Sequence, residues 1–219
     1  MKSNPTLYAG ILEIIDRNTF KIIENDLKGL LIQDTVSTIY FGIHENEDIL
    51  KNWIHSHKEI KLLVLYKPLL LKGYTCFLEC YPIAYLKKEP FNYKSELNIR
   101  IASIKDLSFI LYHYNLLEES EIQKIISMNH LYIGYKKNIL VGFIGLHLEG
   151  SIGLLYILEE YKGNGYGTEL EMFLVNHLLF KNKIPFGQVE TENNHSIFLQ
   201  KKLGFTFSTE KQYWFESDL

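Results

Sequence analysis

The feature that most constrains the fold is a glycine-rich segment between two apolar stretches, Tyr161-Lys162-Gly163-Asn164-Gly165-Tyr166-Gly167-Thr168. Glycine lets a backbone adopt positive φ and approach a ligand closely. The residues before the segment, 151–158, have the composition of a buried strand. After it, apolar residues recur at helical spacing: Tyr166, Leu170, Phe173, Leu174 and Leu178. The segment therefore predicts a turn from a strand into a helix, whose first N–H groups and dipole favour a bound phosphate.

Two other phosphate-binding loops fit this segment poorly. A Walker loop needs Gly-Lys-Ser/Thr after a four-residue gap, but Gly167 is followed by Thr168 and Glu169. A dinucleotide-binding fingerprint needs glycine where Thr168 stands. An ordinary strand-to-helix connection can also be rich in glycine, so the assignment needs a second signal.

The second half of the chain has the predicted order β α α β β β α β α β β. We expect strands at 97–102, 130–135, 139–147, 151–158, 186–190, 205–207 and 212–215, and helices at 103–114, 118–127, 166–178 and 194–203. Ser103 and Asp106 have the spacing of a capping box. Gly204 stands where a left-handed residue ends a helix. The last two strands are expected to finish the sheet of this half.

The first half predicts a smaller α+β unit. We expect helices near 7–15 and at 46–57, and strands at 34–44, 59–67 and 74–81. The polar, proline-interrupted segment 87–96 predicts a domain boundary. Cys76 and Cys80 would lie ~13 Å apart on one side of a strand, too far to form a disulfide, so two reduced, buried thiols are expected.

Two segments of the second half resemble one superfamily. The sequence Lys162-Gly163-Asn164-Gly165-Tyr166-Gly167 is similar to the Arg/Gln-x-x-Gly-x-Gly/Ala signature of GCN5-related N-acetyltransferases (GNAT). Residues 193–205 are similar to its Asn-x-x-Ala-x-x-x-Tyr-x-x-x-Gly-Phe segment, and the ending resembles the FR47-like branch. The resemblance implies an α/β (α+β) chain with a GNAT domain at 97–219, a mixed, mostly antiparallel sheet with helices on both faces. Residues 1–90 would form the α+β N-terminal domain, of unknown role or a degenerate GNAT-like half.

The resemblance also implies acetyl-CoA or another acyl-CoA as co-substrate. Backbone amides of the turn would hold the pyrophosphate, at Gly163, Asn164, Gly165, Tyr166, Gly167 and Thr168. Lys162 replaces the usual Arg or Gln, keeping a positive charge but losing the planar fork. The backbone of Tyr156, Ile157 and Leu158 would pair with pantetheine, one N–H polarising the thioester carbonyl. Asn193 would assist cofactor placement.

The catalytic positions depart from the usual pattern of the superfamily. Where many members have a tyrosine that protonates the departing thiolate, this chain has Gln200, which can donate a hydrogen bond but no proton. A thiolate with a pKa of about 8.5 is still a tolerable leaving group. Candidates for a general base are His147, Glu149 and Glu190, of which Glu149 is selected. Tyr156 is a candidate for lining the acceptor pocket.

The sequence therefore predicts an N-acyltransferase acting on an amine acceptor by direct attack in a ternary complex. The alternative is a catalytically impaired acyl-CoA-binding sensor or structural module. A net charge of −3 with scattered basic residues gives no footprint for nucleic acid or an anionic membrane. No metal is expected, because His55 and His57 would point in different directions on a helix. Without an apolar leader the chain is expected to be cytoplasmic, and a homodimer is left open.

Overall fold

The computed structural model describes residues 4–218. They form six α-helices: α1 (Ala9–Asp16), α2 (Glu47–Ser56), α3 (Leu107–His113), α4 (Glu119–Ser127), α5 (Tyr166–Phe180) and α6 (Asn194–Leu203). They also form twelve strands: β1 (Phe20–Asn25), β2 (Gly29–Asp34), β3 (Tyr40–His44), β4 (Leu62–Leu65), β5 (Tyr74–Ala84), β6 (Asn98–Ile101), β7 (Leu131–Lys136), β8 (Ile139–Leu146), β9 (Ile152–Ile157), β10 (Phe186–Glu190), β11 (Thr206–Phe207) and β12 (Gln212–Ser217).

The first sheet has the strand order β1-β2-β3-β4-β12-β5-β10, with β11 also paired to β5. Strands β3 and β4 run in parallel, whereas β12 is antiparallel to both β4 and β5. The second sheet is antiparallel, with the order β6-β7-β8-β9. The chain is therefore mixed α/β with mostly antiparallel pairing, and the predicted fold class is confirmed.

The last strands of the chain differ from expectation in their partners. They were expected to finish the sheet of the second half, but β11 pairs with β5, and β12 lies between β4 and β5. Trp214 of β12, for example, faces Val64 on one side and Leu78 on the other. An apolar strand such as β12 fits a central position, where both of its edges are paired. The prediction was wrong because no local sequence pattern specifies which strands lie beside β12.

The chain divides into two compact units that are discontinuous in sequence. One comprises the described residues up to Ala84 with Gln188–Lys201 and the described residues from Phe205 onward; the other comprises Tyr85–Gly187 and Lys202–Gly204. The boundary proposed from the sequence, between 1–90 and 97–219, stays a prediction about which fragments fold independently.

The core of the second sheet lies under helix α5. Leucines of this helix are buried against β7 and β8, in a cluster that includes Leu170, Leu174, Tyr132, Val141 and Ile144. Leu155 and Ile157 of β9 pack against the same cluster. Alternate residues of a strand point to opposite faces, so Tyr156 faces away from α5.

Local capping agrees with the sequence prediction at two helix ends, and the structure adds a third cap, at α2. The side chain of Asn46 accepts bonds from the first-turn N–H groups of α2. Ser103 and Asp106 form the predicted capping box ahead of α3. Gly204 adopts φ +83° after α6, and the N–H of Phe205 bonds to the carbonyl of Gln200 at 3.0 Å. The predicted order of elements from residue 97 on is confirmed.

Two predictions in the first half are wrong. Residues 34–44 do not form one strand, because the buried carboxylate of Asp34 accepts bonds from the N–H groups of Val36 and Ser37 and closes a turn between β2 and β3. A side chain that binds the backbone two or three residues ahead competes with strand pairing. Cys80 is buried as expected, but Cys76 is exposed, and both are free thiols.

The polar segment between the two halves is fixed to helix α5. Both amide atoms of the Asn176 side chain bond to the backbone of Phe91, at 2.7 and 2.9 Å. The buried carboxylate of Glu169 accepts three bonds, from the hydroxyl of Ser95 and from the N–H groups of Glu96 and Leu97. The segment is therefore held by side chains of α5, although its composition is that of a loose linker.

Within residues 4–218, none of the helices combines the length and the apolar character that crossing a bilayer requires.

Candidate functional site

The glycine-rich segment forms the predicted turn between β9 and α5. Gly163 has φ +76° and Gly165 has φ +84°, both in the left-handed region. A β-carbon built on either residue would meet nothing within 4 Å. The backbone conformation, rather than a lack of room, therefore selects glycine here, and the turn is open on that side.

Backbone donors are left over at the start of α5. Gly165 occupies the N-cap position and supplies no side chain to cap the helix. The first bond inside the helix runs from the N–H of Glu169 to the carbonyl of Gly165, at 3.0 Å. The N–H groups of Tyr166, Gly167 and Thr168 precede that bond, so they are available to an anion lying on the helix axis.

The turn has one cation, which is bound to a neighbouring carboxylate. Lys162 Nζ lies 2.5 Å from Glu159 Oε2, and both side chains are exposed. This hydrogen bond raises the pKa of Lys162. The Asn164 side chain donates to the carbonyls of Tyr161 and Lys162, at 3.1 and 3.2 Å, and fixes the shape of the turn. An exposed ion pair of this kind is weak, so Lys162 can exchange Glu159 for a ligand phosphate at low cost.

Strand β9 is the last strand of its sheet. Among the described residues it pairs with β8 alone. The backbone N–H and C=O groups of its outer edge can therefore bond to an extended ligand, as an added strand would.

Strand β9 also carries a bulge. Between the pairs Gly145 with Gly153 and Phe143 with Tyr156 the register shifts, so β9 has one residue more than β8. Leu154 in this stretch is buried and has φ +50°. A non-glycine residue in this region is strained, and such bulges bend a strand and re-aim its side chains. Here the bulge precedes the residues that lead into the turn.

The side chain of Tyr156 lies among aromatic rings on the face away from α5. Its ring stacks on that of Phe143, with centroids 5.6 Å apart, and on the imidazole of His113, at 4.8 Å. Its hydroxyl lies 3.1 Å from His113 Nδ1. The sequence analysis did not select His113, because no motif marks the end of α3; the spacing of residues within a single element carries no signal for this contact.

Glu149 lies at the other end of β9, in the connection from β8. Its carboxylate is buried and accepts a bond of 2.5 Å from the Ser151 hydroxyl. Glu121 is close enough for burial, together with the charge of Glu149, to raise its pKa, while His147 opposes that shift. Ser151 and Tyr156 are five residues apart, with the bulge at Leu154 between them. Glu149 and the glycine turn therefore mark opposite ends of β9.

Three further residues considered from the sequence, Asn193, Gln200 and Glu190, belong to the other compact unit. Asn193 is exposed, and its side-chain oxygen accepts a bond of 3.0 Å from the N–H of Ser196, in the manner of an N-cap for α6. Gln200 is buried on α6. Glu190 ends β10 and is exposed.

No group of three or more His, Cys, Asp or Glu side chains within residues 4–218 is arranged to hold a metal ion. The two histidines considered for a metal have protein partners instead. His55 bonds to the carbonyls of Lys51 and Lys72, and His57 bonds to the carboxylates of Glu24 and Glu59.

Residues 131–215 match the family model described as FR47-like protein. This span contains the strand, turn and helix described above. No curated protein sequence matches the chain.

Solved structures resemble the chain along nearly its whole length. A Drosophila protein superposes with a TM-score of 0.71 at 10% identity, covering 97% of this chain and 88% of its own. A GCN5-related N-acetyltransferase from Kribbella flavida gives 0.60 at 8% identity, covering 96% and 93%. A GCN5-related N-acetyltransferase-like protein from Streptococcus suis gives 0.56 at 15% identity, covering 99% and 97%. The fold is therefore that of GNAT proteins, and the predicted resemblance to this superfamily and its FR47-like branch is confirmed.

Proposed function

We propose that this chain, with its GNAT fold and its match to the FR47-like family, is an N-acyltransferase that moves an acetyl or other acyl group from acyl-CoA to an amine. One observation carries the proposal. A strand with an open edge, β9, runs through a turn with two left-handed glycines into helix α5, whose first N–H groups are uncapped. This arrangement offers one path for an extended chain that ends in a diphosphate.

The acyl-CoA is proposed to lie along this path. Its diphosphate would accept bonds from the backbone of the turn, at Gly163, Asn164, Gly165, Tyr166, Gly167 and Thr168. Lys162 would leave Glu159 and add its charge. The pantetheine arm would pair with the outer edge of Tyr156, Ile157 and Leu158. Asn193 is proposed as an additional cofactor contact.

The reaction requires a donor for the oxyanion, a base and a leaving thiolate. A backbone N–H of β9 would polarise the thioester carbonyl and stabilise the oxyanion. The acceptor nitrogen forms the new N–C bond as the C–S bond breaks, and Glu149 is proposed to accept the proton that nitrogen loses. Because the Glu149 carboxylate is already bonded to Ser151, we expect that hydroxyl to lie between the base and the acceptor. Gln200 would donate a hydrogen bond to sulfur.

A thermal-shift titration with acetyl-CoA tests the binding step. We expect the melting temperature to rise with acetyl-CoA concentration, because a ligand that binds only the folded state stabilises it. The variant Gly165→Val should lose the shift. Gly73→Val is a matched control, because Gly73 also has positive φ, +79°, and open space around it, yet precedes β5. No shift in the unaltered protein with millimolar acetyl-CoA or longer acyl-CoAs would contradict the proposal.

A second function is favoured by one residue. Gln200 stands where the related enzymes have a proton donor, and a glutamine cannot give up a proton. The absence of that donor is expected in a module that binds acyl-CoA without turning it over. A panel of amines separates the two: an aliphatic diamine, an aminoglycoside, free amino acids and a peptide N-terminus, each with acetyl-CoA. Release of free CoA thiol that disappears in Gly165→Val indicates an enzyme. Binding of acetyl-CoA without release, across the panel, indicates the sensor or structural module.

A further inference from the structure

A histidine and a tyrosine beside the turn form a hydrogen-bonded pair that the GNAT signatures do not include. His113 ends α3 and Tyr156 lies near the end of β9. Their rings are nearly parallel, at 29°, with centroids 4.8 Å apart, while Nδ1 and the phenol oxygen lie 3.1 Å apart. Stacking and hydrogen bonding together fix the position of the phenol oxygen more tightly than either contact alone would.

Neighbouring rings hold both members of the pair. Phe143 is fully buried and stacks under Tyr156. Phe109 and Tyr112, on the same helix as His113, contact the imidazole at centroid distances of 4.6 and 4.8 Å. The pair is only half-buried, so one side of it remains accessible.

The hydrogen bond between His113 and Tyr156 uses only one of the protons that the two side chains carry. The other proton can be donated to a different group. A neutral imidazole can donate from Nδ1 or accept there. If His113 Nδ1–H donates to the phenol oxygen, the phenol keeps its own O–H for another acceptor. In the described part of the chain, no protein group other than His113 bonds to the Tyr156 hydroxyl.

The pair lies close to the proposed acyl-CoA path. Tyr156 belongs to the edge segment assigned above to pantetheine, and its phenol is near enough to Lys162 to influence the pKa of that lysine. His113, from α3, bonds to the phenol, and Lys162, from the turn, lies within electrostatic range of it. The inference therefore rests on the proposed function, which supplies the thioester.

We propose that Tyr156 is the proton donor to the departing CoA thiolate, with His113 as the residue that positions it. As the C–S bond breaks, the electron pair stays on sulfur and the sulfur takes the phenol proton. The phenolate oxygen is stabilised by the Nδ1–H of His113 and regains a proton from water after CoA leaves. This role supplies the proton that Gln200 cannot give.

The thiol of bound CoA provides a test that requires no acceptor. A phenol O–H aimed at sulfur stabilises the thiolate, so we expect the acid dissociation constant of the bound thiol to fall about tenfold in Tyr156→Phe, the scale of one hydrogen bond to a charged group. Ultraviolet absorbance of the thiolate, followed against pH with saturating CoA, measures it. Tyr112→Phe, which removes an exposed neighbouring hydroxyl, should have no effect.

Two variants of His113 separate positioning from packing. His113→Phe keeps a stacked ring but loses the donor, and is expected to behave like Tyr156→Phe. His113→Asn retains an N–H near the Nδ1 position and is expected to restore most of the effect. Melting temperatures of all four variants check that each folds.

The outcomes are distinguishable from those of the proposed function. If CoA does not bind the unaltered protein, acyl transfer fails and this inference fails with it. If CoA binds equally to all variants but its thiol titrates identically in Tyr156→Phe and the unaltered protein, only the assignment of Tyr156 is overturned. Once an acceptor amine is identified, Tyr156→Phe is expected to lower kcat about tenfold or more while the KM for acetyl-CoA is unchanged.

Discussion

At the scale of single residues, the two glycines of the GNAT-like signature, Gly165 and Gly167, are selected by different physical requirements. Gly165 has φ +84° with open space where a β-carbon would lie, so conformation alone selects it. Gly167 has no such φ, and a β-carbon there would contact Ile157 at an ordinary 3.6 Å. The motif's two glycines are therefore not equivalent, although the sequence presents them as one pattern.

This difference predicts opposite changes in stability. Gly165→Ala is expected to lower the free energy of unfolding by about 1–2 kcal/mol, the penalty for a side chain in the left-handed region. Gly167→Ala is expected to raise it by up to about 1 kcal/mol, because alanine favours the helix. Urea denaturation of both variants measures the difference. Equal values for the two would show that the turn does not have this backbone conformation.

Gly142 on β8 permits a close approach between two strands. A β-carbon there would lie 2.2 Å from the carbonyl oxygen of Tyr156, a backbone atom that cannot rotate away. Gly142→Ala is therefore expected to displace β9 and to destabilise the protein by about 1–3 kcal/mol, as overpacking does.

Gly134→Ala is a matched control for this change on neighbouring β7. Its β-carbon would meet only the leucine side chains of Leu170 and Leu97, at 3.0 and 3.2 Å, which can adjust. A smaller loss of stability is expected, with acetyl-CoA binding retained. Similar losses in both variants, with binding unaffected in both, would contradict a special role for the approach of β8 to β9.

At the scale of elements, the sequence predicted those whose signal is local and missed those set by distant partners. Helix α6 and strand β10 were predicted with the observed bounds because their signals are local; Gly204, for example, directly follows α6. The turn at Asp34 was missed because Thr35 and Val36 favour a strand, while a side-chain bond decides the turn. The neighbours of β12 are far away in sequence, and no local pattern encodes them.

The candidate site was predictable to a similar extent. The turn and its helix followed from a contiguous motif. The burial of Glu149 and the pairing of His113 with Tyr156 depend on how separate elements pack. Residues that act together across elements give no signal in one sequence, whereas a contiguous loop does.

The capping box before α3 gives a pH-dependent contribution to stability. Hydrogen bonds from Arg100 and Ser103 lower the pKa of Asp106 from 3.8 to about 2. A carboxylate with a lowered folded pKa stabilises the protein above its unfolded pKa, and this contribution is lost as pH falls through the folded value. Asp106→Asn should therefore cost about 1–2 kcal/mol at pH 7 and little at pH ~2.

Unfolding by denaturant at several pH values checks this prediction. The difference between Asp106→Asn and the unaltered protein should shrink between pH ~4 and pH ~2. Asp48→Asn, at an exposed position on α2, should stay within about 0.5 kcal/mol throughout. A difference for Asp106→Asn that is independent of pH would mean that packing, not the charge, is lost.

At the scale of the whole molecule, the last strands of the chain share a sheet with strands of the first half. The last strand, β12, pairs on both sides with β4 and β5 of the first half. In the same sheet, β10 pairs with β5. The match to solved structures likewise extends over nearly the whole chain. We therefore expect the second half to require the first for its stability, whatever part the first half has in acceptor choice.

A fragment comparison makes this testable. Residues 97–219 expressed alone retain β6 to β9 and α5, but their β11 and β12 have lost every observed partner strand. We expect this fragment to aggregate or to unfold without a cooperative transition, because apolar strand edges without partners associate with one another. Circular dichroism and size-exclusion chromatography of the fragment, compared with those of the whole chain, measure the outcome.

Co-expression with residues 1–96 should restore the solubility of the fragment, since it returns β4 and β5. A monomeric fragment with cooperative unfolding would show instead that 97–219 is an independent domain, and that β12 finds a different partner when the first half is absent.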